Sequence, residues 1–321
     1  MPIEIQNPEE KFGTPAPTPV LVEEHWLQLP DGRMRYLKAG SGPPLILVHG
    51  LMGYSFSWRF TIPALAPHAT VYAIDNLGAG LSHANEGMDC SLRATAERLL
   101  QFVDALGLQD FDLLGTSHGG GVAIMVAALC AEKAPKKAAD SETSAAKHPR
   151  LQRLILVAPI NPWSRHGKRL APFVGSPFGS AILRNTIERW RSFDHIWLER
   201  LFSESAKIPS DSLAGYRIPI LKNKVFRHAS HIVKNWTVDL AALGGALPKI
   251  RDYPTLLLWG SKDRAVDPRS AEPLSQNFRN AHLIVFEGVG HLPYEEAPEE
   301  FNRALIDFLT NASRSPSSEQ N

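Results

Sequence analysis

Leu113-Leu114-Gly115-Thr116-Ser117-His118-Gly119-Gly120-Gly121-Val122 places one serine among four glycines, directly after an apolar run. Glycine has no Cβ and gives up more conformational entropy on folding than any other residue, so a cluster of it marks a place where the backbone needs room. The run before it, FDLLG (111–115), reads as a buried strand, and GVAIMVAALC (121–130) reads as a buried helix. The chain therefore turns sharply from strand to helix at Ser117. The glycines two before and two after the serine leave space that side chains would fill.

Runs of the same buried-strand kind recur along the chain. They are PPLILVHG (43–50), TVYAID (70–75), LQRLILVAP (151–159), PTLLLWG (254–260) and AHLIVFEG (281–288). LVEEHWLQLP and RMRYLKAG flank Asp31-Gly32, a hairpin turn signal, and read as two antiparallel strands. Helical patterns lie between the runs. SLRATAERLLQFVDALG (91–107) opens on an N-cap serine and closes at Gly107, and APEEFNRALIDFLT (297–310) is amphipathic. Strands alternating with helices predict an α/β fold with a mostly parallel sheet covered on both faces.

Residues 160–250 break this rhythm. They hold no strand run but several aromatic, amphipathic stretches, which read as a helical insertion between two strands. Most of its aromatic residues, Trp163, Phe173, Phe178, Trp190, Phe193, Trp197 and Phe202, are expected to cover the insertion's own apolar face. Residues 131–150 are polar and Ala/Lys-rich, a solvated extension to which no function attaches. Residues 1–20 read as a flexible arm, being rich in Pro, Glu and Thr, and 312–321 are expected to be a disordered tail. The remaining domain boundaries are 21–159 with 251–311 for the core.

The composition narrows the function. The chain has 321 residues, a net charge of +1 and 21% charged residues, with Lys and Arg scattered. That is no electrostatic footprint for nucleic acid. No apolar stretch reaches the roughly 18 residues that span a bilayer. The start, MPIEIQNPEEKFGTPAPTPV, lacks the basic and apolar regions of a signal peptide, so a cytoplasmic location is expected. Cys90 and Cys130 have no metal-site spacing and read as free thiols in a reducing compartment, although a disulfide between them stays open. His228 and His231 sit three apart on a helix, two imidazoles without a third ligand. No metal and no organic cofactor is expected. The oligomeric state, monomer or dimer, is not readable.

Open parallel sheets bind ligands beyond the carboxyl ends of their strands. Four such positions carry chemistry. Gly115-x-Ser117-x-Gly119 is the pattern of a nucleophile elbow, which lifts a serine oxygen clear of the sheet. His291, between the last strand and the terminal helix, is placed to be its base. His118 is adjacent to the serine, but neighbouring side chains on an elbow diverge. Asp263 follows TLLLWG and is suited to fix the His291 tautomer. Asp267 is its rival, although Asp267-Pro268 reads as a helix cap. After the first parallel run, His49-Gly50-Leu51 makes a tight bend that points the Leu51 amide at the site, so that the Leu51 and His118 amides form an oxyanion hole. Met52 and Trp58 are candidate walls of an acyl pocket. The glycine-rich GAGLSH and GTSHGGG match neither GxGxxG nor a P-loop, which argues against nucleotide binding.

The order Ser117, Asp263, His291, with His49-Gly50 upstream and DNLGAGLS (75–82) after the next strand, resembles the α/β-hydrolase superfamily from about residue 21 to 311. The resemblance implies an eight-stranded sheet with residues 160–250 as a helical cap. It implies a carboxylesterase acting on small to medium, moderately hydrophobic acyl esters, with C–C bond hydrolysis or a perhydrolase-like activity as the alternative. A non-catalytic ligand-binding relative would have lost a triad member. Relatives that open epoxides or remove halogen need a carboxylate where this chain has Ser117.

Overall fold

A computed structural model describes residues 20–133, 148–164, 198–220 and 223–311, together with Phe173, Ser176, Phe178, Gly179 and Ile182. Each apolar run in the sequence is a strand. In chain order these are β1 (Val22–Leu29), β2 (Gly32–Ala39), β3 (Pro44–Val48), β4 (Thr70–Ile74), the two-residue β5 (His83–Ala84), β6 (Asp110–Thr116), β7 (Arg150–Val157), β8 (Thr255–Gly260) and β9 (Ala281–Phe286). Eight of them form one sheet in the order β1-β2-β4-β3-β6-β7-β8-β9, and β5 adds a short rung to β2. β1, β2 and β4 pair antiparallel, and every pairing from β4 through β3 to β9 is parallel. The sheet is thus the one the resemblance implies, with β5 as an addition.

The helices follow the signals read from the sequence. Ser91 caps the helix Leu92–Ala105, its Oγ accepting the Ala94 N–H at 3.3 Å, and Gly107 leaves that helix at φ 66°. His118–Lys133 is buried from His118 through Cys130, so it carries apolar and small residues all round rather than an amphipathic stripe. Pro298–Asn311 closes the chain's fold. Between β7 and β8 the longest described elements are the helices Ser212–Ile220 and Asn223–Ala246, and no described residue there is in a strand. The 1–20 arm (except Val20), most of the 131–150 extension and the 312–321 tail lie outside the described residues, as do Trp190, Phe193 and Trp197. Of the four remaining residues of that set, Phe202 is fully buried. Trp163, Phe173 and Phe178 are 40%, 49% and 72% exposed, so the expectation that most of this set is core does not hold for them.

Strand order positions the site. β3 is followed by β4 on one side, whereas β6 is followed by β7 on the other, and β3 and β6 are hydrogen-bonded neighbours. Chain direction across the sheet reverses between them. At such a switch point the loops leaving adjacent strands diverge and open a crevice. The loops here are His49–Gly53 and the turn at Ser117.

Candidate active site

The glycines around Ser117 are required by contact. A Cβ on Gly115 would stand 2.2 Å from the Gly119 carbonyl oxygen, and one on Gly119 would stand 2.4 Å from that of His49. Cβ atoms on Gly120 and Gly121 would lie 2.5 Å from Pro159 and 2.7 Å from Ile160, so the helix is seated closely against the loop after β7. Ser117 itself has φ 53°, in the left-handed region that a residue with a Cβ enters only under constraint. The constraint is visible: the Ser117 N–H donates to Val157 O at 2.9 Å, and its carbonyl accepts from Gly120, Gly121 and Ile160.

The structure brings Asp263 and His291 together. His291 Nδ1 lies 2.7 Å from Asp263 Oδ2, with both side chains buried. The other carboxylate oxygen accepts the Ala265 and Val266 amides at 2.7 and 2.9 Å, which fixes the acid's orientation. Asp267 instead caps the turn Pro268–Ser270, accepting the Arg269 N–H. The His291 turn is held from the segment before β8: its N–H donates to Leu201 O at 2.6 Å. The Glu296 carboxylate gathers the Gly290 and Ser203 amides and the Ser203 hydroxyl.

Ser117 and His291 line one cavity of about 200 Å³. Gly50 closes on the serine, since a Cβ there would lie 3.1 Å from Ser117 Cβ. Among the described residues no hydrogen bond uses the N–H of Leu51 or His118. His49 holds the loop that carries Leu51: its Nε2 accepts the Asn76 N–H at 3.0 Å and its Nδ1 faces Gly50 O at 2.8 Å, which requires the neutral, Nδ1-protonated ring. Burial also holds its pKa down. The His118 ring points away from this cavity, and burial, then the neighbouring His228 and His49, push its pKa down to about 3.

Met52, at φ 62°, lines the cavity. Trp58 does not: it is fully buried beneath the site, its ring 4.8 Å from that of Tyr294. The walls also include residues that sequence reasoning passed over. Ile160, Leu201, Trp236, Val266 and Leu292 form an apolar side, and Ser57, Tyr216 and Tyr294 bring hydroxyls. Tyr216 donates to Glu295, whose carboxylate is buried against Arg59 at 3.0 Å and accepts the Ser212 hydroxyl at 2.8 Å. The signal was the acidic pair Glu295-Glu296 four and five residues after His291. No periodicity distinguishes such a pair from the acidic first turn of the next helix.

Among the described residues no cluster of His, Cys, Asp or Glu is arranged to hold a metal ion, and no helix is long and apolar enough to cross a membrane. Cys90 and Cys130 are separate buried thiols.

Comparison with known proteins agrees with this architecture. A family profile described as the alpha/beta hydrolase fold matches residues 43–298. A haloalkane dehalogenase 2 of Mycobacterium bovis is 29% identical over 307 residues, covering 92% of this chain and 97% of that protein. An N-formylmaleamate deformylase of Pseudomonas putida is 28% identical over 284 residues, covering 86% and 92%. Among solved structures, the epoxide hydrolase CorEH superposes with a TM-score of 0.74 at 22% identity, covering 91% of this chain and 99% of that one.

Proposed function

The chain belongs to the α/β-hydrolase family, and from that premise we propose that it is a serine hydrolase cleaving carboxylic esters of small to medium, moderately hydrophobic acyl groups. The observation that carries this reading is the juxtaposition in one cavity of a conformationally constrained Ser117 and a His291 oriented by Asp263. Ser117 attacks the ester carbonyl while His291 accepts its proton. The oxyanion forms against the Leu51 and His118 amides, each donor being worth about 3 kcal/mol in the transition state. His291 then protonates the leaving alcohol and activates water against the acyl-enzyme, with Asp263 stabilising the imidazolium. No cofactor enters any step. Residues 160–250 act as the cap over the core formed by 21–159 and 251–311. Leu201, Tyr216 and Trp236, which supply part of the cavity wall, support that division.

Likeness to a dehalogenase and an epoxide hydrolase does not carry their chemistry over. Attack of a serine on a haloalkane or epoxide carbon yields an ether, which the oxyanion site and water cannot cleave. A carboxylate nucleophile yields an ester, which they can. With Ser117 at the elbow, substrates with an electrophilic carbonyl fit.

The test is labelling with a fluorophosphonate, with and without Ser117→Ala, followed by nitrophenyl esters of rising acyl length. Labelling lost in the variant together with ester turnover in the parent is the expected result. Labelling that survives Ser117→Ala sinks the nucleophile assignment. Labelling lost with no ester turned over redirects the reading to C–C bond hydrolysis by the same residues, tested with vinylogous diketones.

A further inference from the structure

A second cavity, larger than the one at Ser117, lies between the 78–90 loop and the helix Asn223–Ala246. Its volume is about 620 Å³, against about 200 Å³ at the site. Pockets that bury an organic ligand run from roughly 300 to 1,000 Å³, so the described site cavity alone is small and the second is ample. A narrow space of about 20 Å³ lies between them. It shares Gly50, Leu51 and Met52 with the lining of the site and His228 with that of the larger chamber. It is thus the neck between two neighbouring cavities, with His228 standing at its chamber end.

His228 forms the partition, and the fold makes a place for it. Gly78, at φ +82°, leaves the room its ring occupies: a Cβ there would lie 2.7 Å from His228 Cγ and Nδ1. The Cys90 sulfur lies 3.3 Å from His228 Nδ1. Across the neck stands His118, whose buried Nε2 has no hydrogen-bond partner among the described residues. A polar atom so placed fits a neck that polar groups traverse, since burying it unpaired is costly.

The chamber's chemistry differs from that of the site. Ser82, His83, Asn85, Glu86, Arg227 and His231 line it. The Ser82 hydroxyl is engaged by the Arg35 N–H and Asp75 O, and the Asn85 amide by Pro30 O. That leaves the two imidazoles and the Arg227 guanidinium as its cationic and donor groups. Among the described residues its charged pair is Arg227 with Glu86, which spans 3.8 Å with both side chains more than half exposed. Such a pair contributes little, so the guanidinium is available to a competing carboxylate.

We propose that this chamber binds the carboxylate end of an extended ester, and that His228 is the specificity-determining residue governing reach from the chamber to Ser117. The inference rests on the serine-hydrolase reading above and adds the substrate's second half to it.

The experiment compares the parent with His228→Ala, His228→Phe and Arg227→Gln. Substrates are esters from acetyl to dodecanoyl, their ω-carboxylate counterparts, and the same lengths built into the alcohol half. Fluorophosphonate labelling of each variant checks that the nucleophile is intact. Opening the neck with His228→Ala is expected to raise kcat/KM for long esters about tenfold relative to acetyl esters, mainly through KM, and His228→Phe to lower it. Arg227→Gln is expected to cost ω-carboxylate esters about tenfold and neutral ones nothing. Labelled, active variants with unchanged length profiles in both halves overturn the chamber while leaving the serine reading intact. So does an Arg227→Gln effect equal for neutral and charged esters. No labelling and no ester turnover in the parent overturns both.

Discussion

Ser117 combines an unfavourable backbone conformation with the contacts that enforce it, and both serve the same end. At φ 53° its amide and carbonyl are tied to Val157, Gly120, Gly121 and Ile160, and the residue lines the cavity that His291 also lines. If the serine is the nucleophile, Ser117→Ala lowers kcat by about 10⁶ while the protein stays folded. Asp263→Asn lowers it by about 10⁴, because an amide presents an N–H where the imidazole needs an acceptor. Both are read as single-turnover and steady-state rates on a nitrophenyl ester. Gly50 gives a sharper test of the oxyanion loop. A methyl group there comes within 3.1 Å of Ser117 Cβ, so the loop or the serine must move by a few tenths of an ångström. Gly50→Ala is expected to reduce kcat by about 10² with KM little changed, as misplacement at a reacting centre does. An unchanged kcat places the Leu51 amide outside the reaction.

At the scale of elements, the core was readable because its strands are buried on both faces. PLILV, TVYAI and TLLLWG are continuous apolar runs, and burial of that kind leaves no alternation to misread. Ser117, Asp263 and His291 were reached from strand ends together with the glycine spacing around Ser117 and the cap reading of Asp267-Pro268. The attachment of the 160–250 segment was not readable, because it depends on polar contacts between residues far apart in sequence. The helix Ser212–Ile220 is fastened by Arg59, which reaches Asp211 at 2.8 Å, Ser212 at 2.7 Å and Glu295 at 3.0 Å. Trp58 was misjudged for a related reason: its indole is large enough for a pocket wall, and only its packing on Tyr294 shows that it lies beneath one. Replacing Glu295 with Leu leaves the Arg59 guanidinium buried with only the half-exposed Asp211 as its carboxylate partner among the described residues. It also removes one of the acceptors of Tyr216, whose hydroxyl reaches Ser57 as well. The expected cost is about 3 kcal/mol in urea unfolding, with faster proteolysis within residues 198–220. A loss below about 1 kcal/mol, the range of an exposed pair, refutes the clamp.

For the whole molecule, the contact between the 160–250 segment and the core carries a pH dependence of mixed sign. Burial is the main cause that pushes His118 to about 3 and His228 to about 4, from an ordinary 6.5, and it pushes the Asp239 carboxyl up from 3.8 to about 6. The two histidines stay neutral in the folded protein while the unfolded chain takes up protons below 6.5. Stability due to them is therefore present above that value and is lost as pH falls toward 4. Asp239 acts oppositely: between about 6 and 3.8 the folded state holds the proton and the unfolded chain does not, so acidification through that window favours folding. From pH 7 to pH 5 each histidine takes away at most about 2 kcal/mol and Asp239 returns about 1, so the net change is a loss. His228→Gln should flatten the decline in unfolding free energy between pH 7 and pH 5, and Asp239→Asn should steepen it. Chemical denaturation of the parent and both variants at the two pH values separates the contributions. If the two substitutions change the slope in the same direction, the junction does not titrate as its burial requires.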